Sequence, residues 1–313
     1  MNPPRLSRRH FAILAGGAAA ISRYGFASLA APAPSESALS AQQVMDRIGS
    51  HANAAWQQTP PRGLIAGNPD TPVRGVATTA MATMDVLKQA AKSGLNLVLT
   101  YEPTYFSQSD GRTLPSGRGP QGGPGGGQPL SPTDPVLVAK KAFIEKNGLV
   151  IYRVGDHWQA GEDLSLALAA TMGWTNHRVA DDPLSYTIPP RTLGDVLAEL
   201  KLKLAIRGGM RVVGDPRSSV QHIAVLPGLR PMPDLLHYLP KSDLVIIGET
   251  RDWEGPEYSS DANAAGLKKG YAQIGRVVSE DPGMVSFSRW LQTFVKEVPV
   301  QAIAATDPYW RPV

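Results

Sequence analysis

The sequence predicts an α/β protein built around at least one parallel sheet. Apolar runs of strand length alternate with segments of helical spacing, and the runs 73–79 and 95–99 flank a helix predicted over 83–92. A strand, a helix and a strand within about thirty residues form a βαβ unit, in which the two strands lie parallel. Apolar residues make up 42% of the 313 positions, enough for the core of one large domain or of two smaller lobes.

The N-terminal elements follow from local spacing and from cap residues. Val44 and Ile48 recur at helical spacing after Ser40, which predicts a first helix that begins near this serine. A loop rich in proline and glycine is predicted over 59–72. The next elements are the strand 73–79, the helix 83–92 with Gly94 at its end, the strand 95–99, the helix 135–146 with Gly148 at its end, and the strand 149–154.

The C-terminal half continues the alternation of helices and strands. Pro227 and Gly228 predict a turn directly after the strand 223–226. The other elements predicted here are helices over 163–172, 193–205, 233–238 and 285–295, and strands over 210–214, 243–247, 271–275 and 300–304.

Residues 111–129 form a low-complexity insertion that is rich in glycine and proline. Because few of its side chains could be buried, burial cannot offset the entropy cost of ordering this segment. It is not a phosphate-binding loop, because no Gly-Lys-Ser or Gly-Lys-Thr sequence ends it. We interpret the insertion as a surface loop, with a lid over a binding site as the alternative.

The N-terminus resembles a twin-arginine export signal. Arg8 and Arg9 precede an apolar stretch of small residues over 11–21, and a segment rich in alanine, serine and proline follows. The apolar stretch is too short to cross a bilayer as a helix of the mature protein. We therefore predict a signal peptide over 1–33, no membrane span in the mature chain, and a periplasmic or extracellular location. A basic amphipathic terminus is the alternative.

The composition excludes several classes of function. The net charge of +4 falls to 0 once the signal is removed, because four arginines and no acidic residue precede position 31. No dense basic patch remains elsewhere, so nucleic acid is not an expected partner. The chain has no cysteine, which excludes disulfides, thiolate-bound zinc and a cysteine nucleophile.

Polar side chains follow four of the predicted strands. They are, in chain order, Tyr101 and Glu102, Asp156 and His157, Glu249, and Arg276 and Glu280. Since the carboxyl ends of parallel strands meet at one edge of a sheet, we expect these side chains to converge there. The alternative is a set of ordinary strand ends whose carboxylates are separately solvated.

Five segments of the chain carry a family resemblance. They are 73–106, the region 150–174 that ends in Met172-Gly173-Trp174, 244–249, 275–284, and the terminal Asp307-Pro308-Tyr309-Trp310. In these segments the chain resembles the Nif-three-like proteins, a family of hexamers with a dinuclear metal centre. The resemblance implies two similar α/β lobes, here 34–180 and 181–313, with mixed, mainly parallel sheets around a shared cleft. It also implies a ring-shaped homo-hexamer and a pair of divalent metals in the cleft.

The same resemblance identifies the positions that hold metal ligands in the family. In this sequence they are Tyr101 and Glu102, Asp156, and Arg276 followed four residues later by Glu280. The carboxylates are present, but a tyrosine and an arginine replace two imidazole ligands. Arg276 cannot bind a metal, because its guanidinium is always protonated and only donates hydrogen bonds. The implied cofactor is a divalent metal (Zn, Mn, Mg or Fe), which this chain has either kept at its carboxylates or lost.

Two functions of different classes follow from this pattern. In the first, Arg276 supplies the positive charge that a metal supplies in relatives, and the protein binds an unidentified small molecule or serves as an assembly component. In the second, the protein is a metal-dependent hydrolase. Its predicted metal ligands are Glu102, Asp156 and Glu280, and its predicted groups for proton transfer are His157 and Glu249. A packed structural role is the alternative for His157.

Overall fold

Two sheets and the helices that cover them make up the described part of the chain. The computed structural model describes residues 39–52, 63–107, 110, 130–155, 162–310 and 312. The predicted signal peptide 1–33, the insertion 111–129, Asp156 and His157 lie outside these residues. The strands of the described part are β1 (Gly63–Ala66), β2 (Val76–Thr79), β3 (Leu97–Thr100), β4 (Val150–Arg153), β5 (Arg178–Val179), β6 (Asp182–Thr192), β7 (Arg211–Val213), β8 (Ser219–Leu229), β9 (Leu244–Glu249), β10 (Gly270–Gln273) and β11 (Val300–Ala302).

The α-helices of the described part alternate with these strands. They are α1 (Ala41–His51), α2 (Met84–Lys92), α3 (Pro135–Lys146), α4 (Glu162–Met172), α5 (Leu193–Lys203), α6 (Met232–Tyr238), α7 (Gly255–Ala264) and α8 (Arg276–Leu291). Their first turns explain several of these boundaries. Ser40 and Gln43 form a capping box at α1, and the Thr83 side chain accepts a hydrogen bond at the start of α2. No helix among the described residues is long and apolar enough to cross a membrane.

The first sheet has the strand order β1-β4-β3-β2-β11. Strands β2, β3, β4 and β11 run parallel, whereas the edge strand β1 is antiparallel to β4. Leu97 and Leu99 pack into one core and Val98 packs into another, so both faces of the sheet are covered. The predicted βαβ unit is confirmed, because β2 and β3 are parallel neighbours joined by α2.

The second sheet has the strand order β5-β6-β8-β9-β10-β7. Strands β8, β9 and β10 run parallel, and the other pairs are antiparallel. The predicted α/β class with mixed sheets is therefore confirmed. The last strand, β11, joins the first sheet although its sequence lies within the predicted lobe 181–313. The lobe boundaries themselves stay a prediction.

Helix α8 links the two sheets. Its residues Met284, Phe287 and Leu291 pack into a core of the first sheet, and Val278 packs into a core of the second. The prediction that this helix begins at 285 was wrong, because it begins nine residues earlier. Pro282 lies inside the helix and hid its first two turns, since proline removes a helical hydrogen bond.

Three other predictions about strands and turns were wrong or incomplete. Strand β1 lies in the segment predicted as a loop, and β6 was missed because its three prolines argue against a strand. Pro227 and Gly228 do not end β8, which continues to Leu229. The register of β8 against β9 shifts between Leu226 and Leu229, so the chain forms an irregularity there instead of a turn.

Candidate functional site

Glu102 follows the carboxyl end of β3 and is held by the backbone around it. Its N–H donates to the carbonyl oxygen of Ala80 at 2.8 Å, just beyond β2. Its carbonyl oxygen accepts a hydrogen bond from the Thr100 hydroxyl at 3.1 Å. The Glu102 side chain is only 6% exposed. A carboxylate at this depth requires a positive partner or a proton.

Arg276 and Glu280 lie on the first turns of α8, which begins directly after β10. Gly275, with φ of +99°, makes the bend between the strand and the helix, and its N–H donates to the carbonyl oxygen of Gly248 at 2.9 Å. Residues four apart on a helix share one face. The helical start at Arg276 therefore places its side chain beside that of Glu280.

The guanidinium of Arg276 contacts both glutamates. Its Nη2 forms an ion pair with Glu102 Oε1, and its Nε lies 3.4 Å from Glu280 Oε1. The contact with Glu102 lacks the alignment of a hydrogen bond, but the attraction between the charges does not depend on direction. Glu280 Oε2 is buried and has no hydrogen-bond partner. We call Arg276, Glu102 and Glu280 the Arg276 cluster.

The charges of the Arg276 cluster shift the protonation of its members. Burial, followed by the charge of Glu102, raises the pKa of Glu280 well above its usual range, and Arg276 opposes this only in part. Burial acts to lower the pKa of Arg276, but the charges of the two glutamates outweigh it and raise that pKa. The cluster is electrically balanced when Glu280 carries a proton. It then offers a guanidinium and a neutral carboxyl group side by side.

Small residues of the second sheet make room for the start of α8. A Cβ atom at Gly228 would lie 3.1 Å from Glu280 Oε1, and one at Gly248 would overlap the backbone of Gly228. The Ser279 hydroxyl donates to the carbonyl oxygen of Arg276 at 2.5 Å and accepts from the Gly228 N–H at 2.9 Å. Gly228, Gly248 and Ser279 therefore hold Glu280 against the end of β8. Sequence analysis missed this role, because it assigned Gly228 to a turn.

Asp281 is a titratable group that sequence analysis also missed. Burial raises its pKa to about 7, against the opposing effect of hydrogen bonds from the backbone of Ala305 and Ala80. The Ala305 N–H lies 3.2 Å from Asp281 Oδ1. Asp281 therefore connects α8 to the first sheet beside the Arg276 cluster. The adjacency of two acidic residues within an apolar stretch was the signal available in the sequence.

The other predicted site residues are placed as follows. Tyr101 is buried, and its carbonyl oxygen accepts a hydrogen bond from Arg153 Nε at 3.4 Å. Glu249 is exposed at the end of β9, and among the described residues it makes no ion pair with Arg276. Asp156 and His157 lie outside the described residues. The structure therefore brings together three of the seven candidates, Glu102, Arg276 and Glu280.

The donor set of the Arg276 cluster does not fit a dinuclear metal centre. The described residues contain no group of three or more histidine, aspartate or glutamate side chains that could hold a metal ion. The guanidinium contacts the two carboxylates, and a cation in that position would repel a divalent metal.

Comparison with known proteins agrees with the fold. Residues 39–117 match the model of the family Duf34/NIF3 (NGG1p interacting factor 3). The described structure has the NIF3 fold. The matched segment contains Glu102 but ends before Arg276 and Glu280. No curated protein is significantly similar in sequence to this chain.

Three solved structures illustrate the similarity. The protein ybgI, of unknown function, has a TM-score of 0.63 at 19% identity, with 86% of this chain and 100% of that chain covered. The Bacillus cereus protein related to NIF3 has a TM-score of 0.62 at 15% identity, with 88% and 100% covered. Staphylococcus aureus protein SA1388 has a TM-score of 0.62 at 14% identity, with 88% and 99% covered. At these identities the likeness describes the fold alone.

Proposed function

We propose that this chain is an exported NIF3-like protein whose cleft is organised by a guanidinium in place of a pair of metals. In this role it binds a small polar molecule or serves as an assembly component. The observation that carries the proposal is the contact of Arg276 with both Glu102 and Glu280. Arginine at a family ligand position removes one ligand and adds one fixed positive charge.

Charge balance supports this interpretation of the cluster. Two metals would bring four positive charges to the site, which many anionic ligands would have to balance. Arg276 brings one charge, and a single carboxylate balances it when Glu280 is protonated. The side chains of Glu102 and Glu280 are 6% and 1% exposed, so an unbalanced charge there would be costly.

The exposed part of the guanidinium is where a ligand would bind. The side chain of Arg276 is 26% exposed, and its contacts with the glutamates involve Nη2 and Nε. Arginine has five N–H donors, and among the described residues the contacts with the glutamates do not use Nη1, so we infer that Nη1 donates to a ligand. A carbonyl, carboxylate or phosphate oxygen suits such a donor.

A metal-dependent hydrolase is the alternative, and one observation favours it. Glu280 Oε2 is buried without a hydrogen-bond partner, as an oxygen reserved for a metal would be. In that case Glu102, Asp156 and Glu280 would hold the ion, and His157 or Glu249 would transfer protons.

Metal content distinguishes the two proposals. We expect purified wild-type protein to contain much less than one divalent metal per chain by elemental analysis. Arg276→His combined with Tyr101→His restores two imidazoles at family ligand positions, and we expect it to bind Zn or Mn. The matched control is Arg230→His, because Arg230 also pairs with an acid four residues later, Asp234, at 3.4 Å.

The metal content of the wild type and the variants distinguishes the guanidinium proposal from the hydrolase. Two tightly bound metals per wild-type chain would overturn the guanidinium proposal and favour the hydrolase. Metal binding by the double variant and not by Arg230→His would support a lost metal centre. Equal binding by both would mean that added histidines collect metal at any surface, and the proposal would lose its support.

Export and assembly are part of the proposal and rest on the sequence. Arg8→Lys with Arg9→Lys should hold the protein in the cytoplasmic fraction if 1–33 is a twin-arginine signal, and unchanged export would contradict it. A homo-hexamer should appear as six chains in native mass spectrometry, and a monomer would contradict that part.

A further inference from the structure

A cavity of about 610 Å³ lies between α3 and the edge of the first sheet. Its volume is in the range of sites for small molecules, about 300–1,000 Å³. Most of its wall is apolar, and the apolar side chains that line it are Ile65, Ala66, Leu130, Leu137, Ile144 and Leu149. No member of the Arg276 cluster lines the cavity, so it is separate from the site described above.

Asp110 is the buried acidic group of this cavity. It lines the wall and is only 3% exposed. Its Oδ1 accepts a hydrogen bond from the Tyr105 N–H at 2.7 Å, whereas its Oδ2 is buried and has no hydrogen-bond partner. A carboxylate oxygen that is buried without a donor is unfavourable, and such an atom in a native structure requires an explanation.

The loop that carries Asp110 is held in an unfavourable conformation. Phe106 and Asp110 have φ angles of +61° and +52°, in the left-handed region that side chains rarely adopt. The Asp110 N–H donates to the carbonyl oxygen of Ser107 at 2.9 Å, which closes the turn. Strain of this kind concentrates at ligand-binding sites, because other contacts must maintain it. Here those contacts hold Asp110 in the wall of the cavity.

The two nearby lysines donate no hydrogen bond to Asp110 Oδ2, although the charge of Asp110 acts on Lys140 and raises its pKa against the effect of burial. Lys140 is buried, and its Nζ donates to the carbonyl oxygen of Thr104 at 2.5 Å and lies 4.6 Å from the centroid of the Phe106 ring. Lys141 lines the cavity on an exposed part of α3, with its Nζ 5.5 Å from the centroid of the Tyr105 ring. The Asp110 oxygen is therefore left for a donor that enters the cavity.

We propose that this cavity binds a small molecule with an apolar body and a primary ammonium group. The ammonium donates a hydrogen bond to Asp110 Oδ2, and the body packs among the apolar side chains near Leu137 and Ile144. An ionised carboxylate only accepts hydrogen bonds, and charged donors form the strongest ones with it. A mainly apolar wall with a few polar groups is the usual arrangement of a site for a small molecule, and Asp110 is the buried acceptor among those polar groups here.

Paired probes test the proposal on the full-length protein. Tryptamine and tryptophol share an indole body and differ in an ammonium or a hydroxyl at the end of the side chain. We expect titration calorimetry to give about tenfold tighter binding for tryptamine, the effect of one charge-assisted hydrogen bond. Asp110→Asn keeps an oxygen for the Tyr105 N–H and removes the charge. It should abolish the preference for tryptamine over tryptophol.

Two further variants locate the binding. Glu145→Gln changes an exposed carboxylate at the cavity and should alter tryptamine affinity less than about twofold. Thr71→Trp places a large side chain at the wall and should weaken both probes, even if Asp110→Asn does not fold. Equal affinity for the two probes in wild type would overturn the proposal. So would no binding of tryptamine or the smaller benzylamine at about 1 mM.

Discussion

The Arg276 cluster and the loop around Asp110 both bury charged groups, but among the described residues only the first joins them in direct ion pairs. Glu102 and Glu280 each contact a guanidinium, and the second sheet packs closely around them. Asp110 and Lys140 act on each other through their charges, but Lys140 Nζ donates to a carbonyl oxygen and contacts an aromatic ring, and no direct ion pair joins it to Asp110. The difference separates a cluster held by direct ion pairs from a loop that, as we propose, a ligand completes.

The two regions also respond to pH in opposite directions. In the first, burial raises the pKa of Asp281 to about 7 and raises that of Glu280 as well. Between the unfolded pKa of Asp281, 3.8, and about 7 the folded protein binds more protons, so the free energy of unfolding falls as pH rises. In the second, burial lowers the pKa of Lys140 from 10.5 to about 8. Between these values the unfolded protein binds more protons, so the free energy of unfolding rises with pH.

The largest effect should come from removing the cation of the Arg276 cluster. Arg276→Gln leaves two buried glutamates without a positive partner, and breaking a buried pair in this way costs about 3–5 kcal/mol. We expect the free energy of unfolding in urea to fall by about 3 kcal/mol at about pH 8. The loss should be smaller at about pH 5, because Glu280, whose pKa is raised, then carries a proton and less charge is left without a partner.

Arg230→Gln is the control for the loss of the cation. Arg230 pairs with Asp234 at the same spacing, but Asp234 is 33% exposed and needs no buried partner. Its replacement should cost less than about 1 kcal/mol at either pH. Equal losses in the free energy of unfolding for the two variants would show that Arg276 contributes no more than an arginine in an ordinary surface ion pair. The contrast between the two regions would then be removed.

Local patterns in the sequence predicted most elements of the fold and part of the site. Helical spacing and caps predicted α1, α2 and α3, and polar residues after apolar strands predicted that Glu102, Arg276 and Glu280 lie close together, as they do. The start of α8 was missed, because packing of Val278 and Met284 against two sheets overrides the effect of Pro282. Such long-range packing leaves little signal in the local sequence.

The buried groups without partners were beyond prediction for the same reason. Asp110 Oδ2 lacks a hydrogen-bond donor because of how the loop after β3 packs against α3, and the spacing of residues in the sequence does not predict that packing. Gly228 was assigned to a turn because Pro-Gly is typical of one. A glycine is needed at this position because the Glu280 side chain approaches it closely, and Glu280 lies on a helix about fifty residues away in sequence.

An intermediate effect should come from the contact between Gly228 and Glu280. Gly228→Ala adds a Cβ atom 3.1 Å from Glu280 Oε1 at a residue with φ of +79°. The left-handed backbone alone costs an alanine about 1 kcal/mol, and the contact adds to it. Gly94→Ala is the matched control, because Gly94 has a φ of +74° and nothing lies within 4 Å of the added Cβ atom. This variant therefore measures the cost of the left-handed backbone alone. Thermal unfolding should show a larger loss for Gly228→Ala, and equal losses would mean that Glu280 moves freely.

The smallest effect at neutral pH should come from Lys140→Met. The substitution removes a buried charge and its bond to the Thr104 carbonyl oxygen, which is favourable, but also the cation that acts on Asp110, which is not. We expect these opposed effects to leave a change within about 1 kcal/mol at about pH 7. Above pH 8 the two proteins should diverge. Between about 8 and 10.5, the folded and unfolded pKa values of Lys140, only the unfolded wild-type protein holds this proton.

The free energy of unfolding of wild-type protein should therefore gain a rising contribution across that window, which Lys140→Met lacks. Urea unfolding at several pH values measures it as the difference between the two proteins. Lys141→Met is the matched control, because the neighbouring lysine is exposed and should leave the wild-type pH profile unchanged. A parallel profile for Lys140→Met would mean that the Lys140 ammonium stays solvated. The loop around Asp110 would then be an open surface, and its contrast with the Arg276 cluster would disappear.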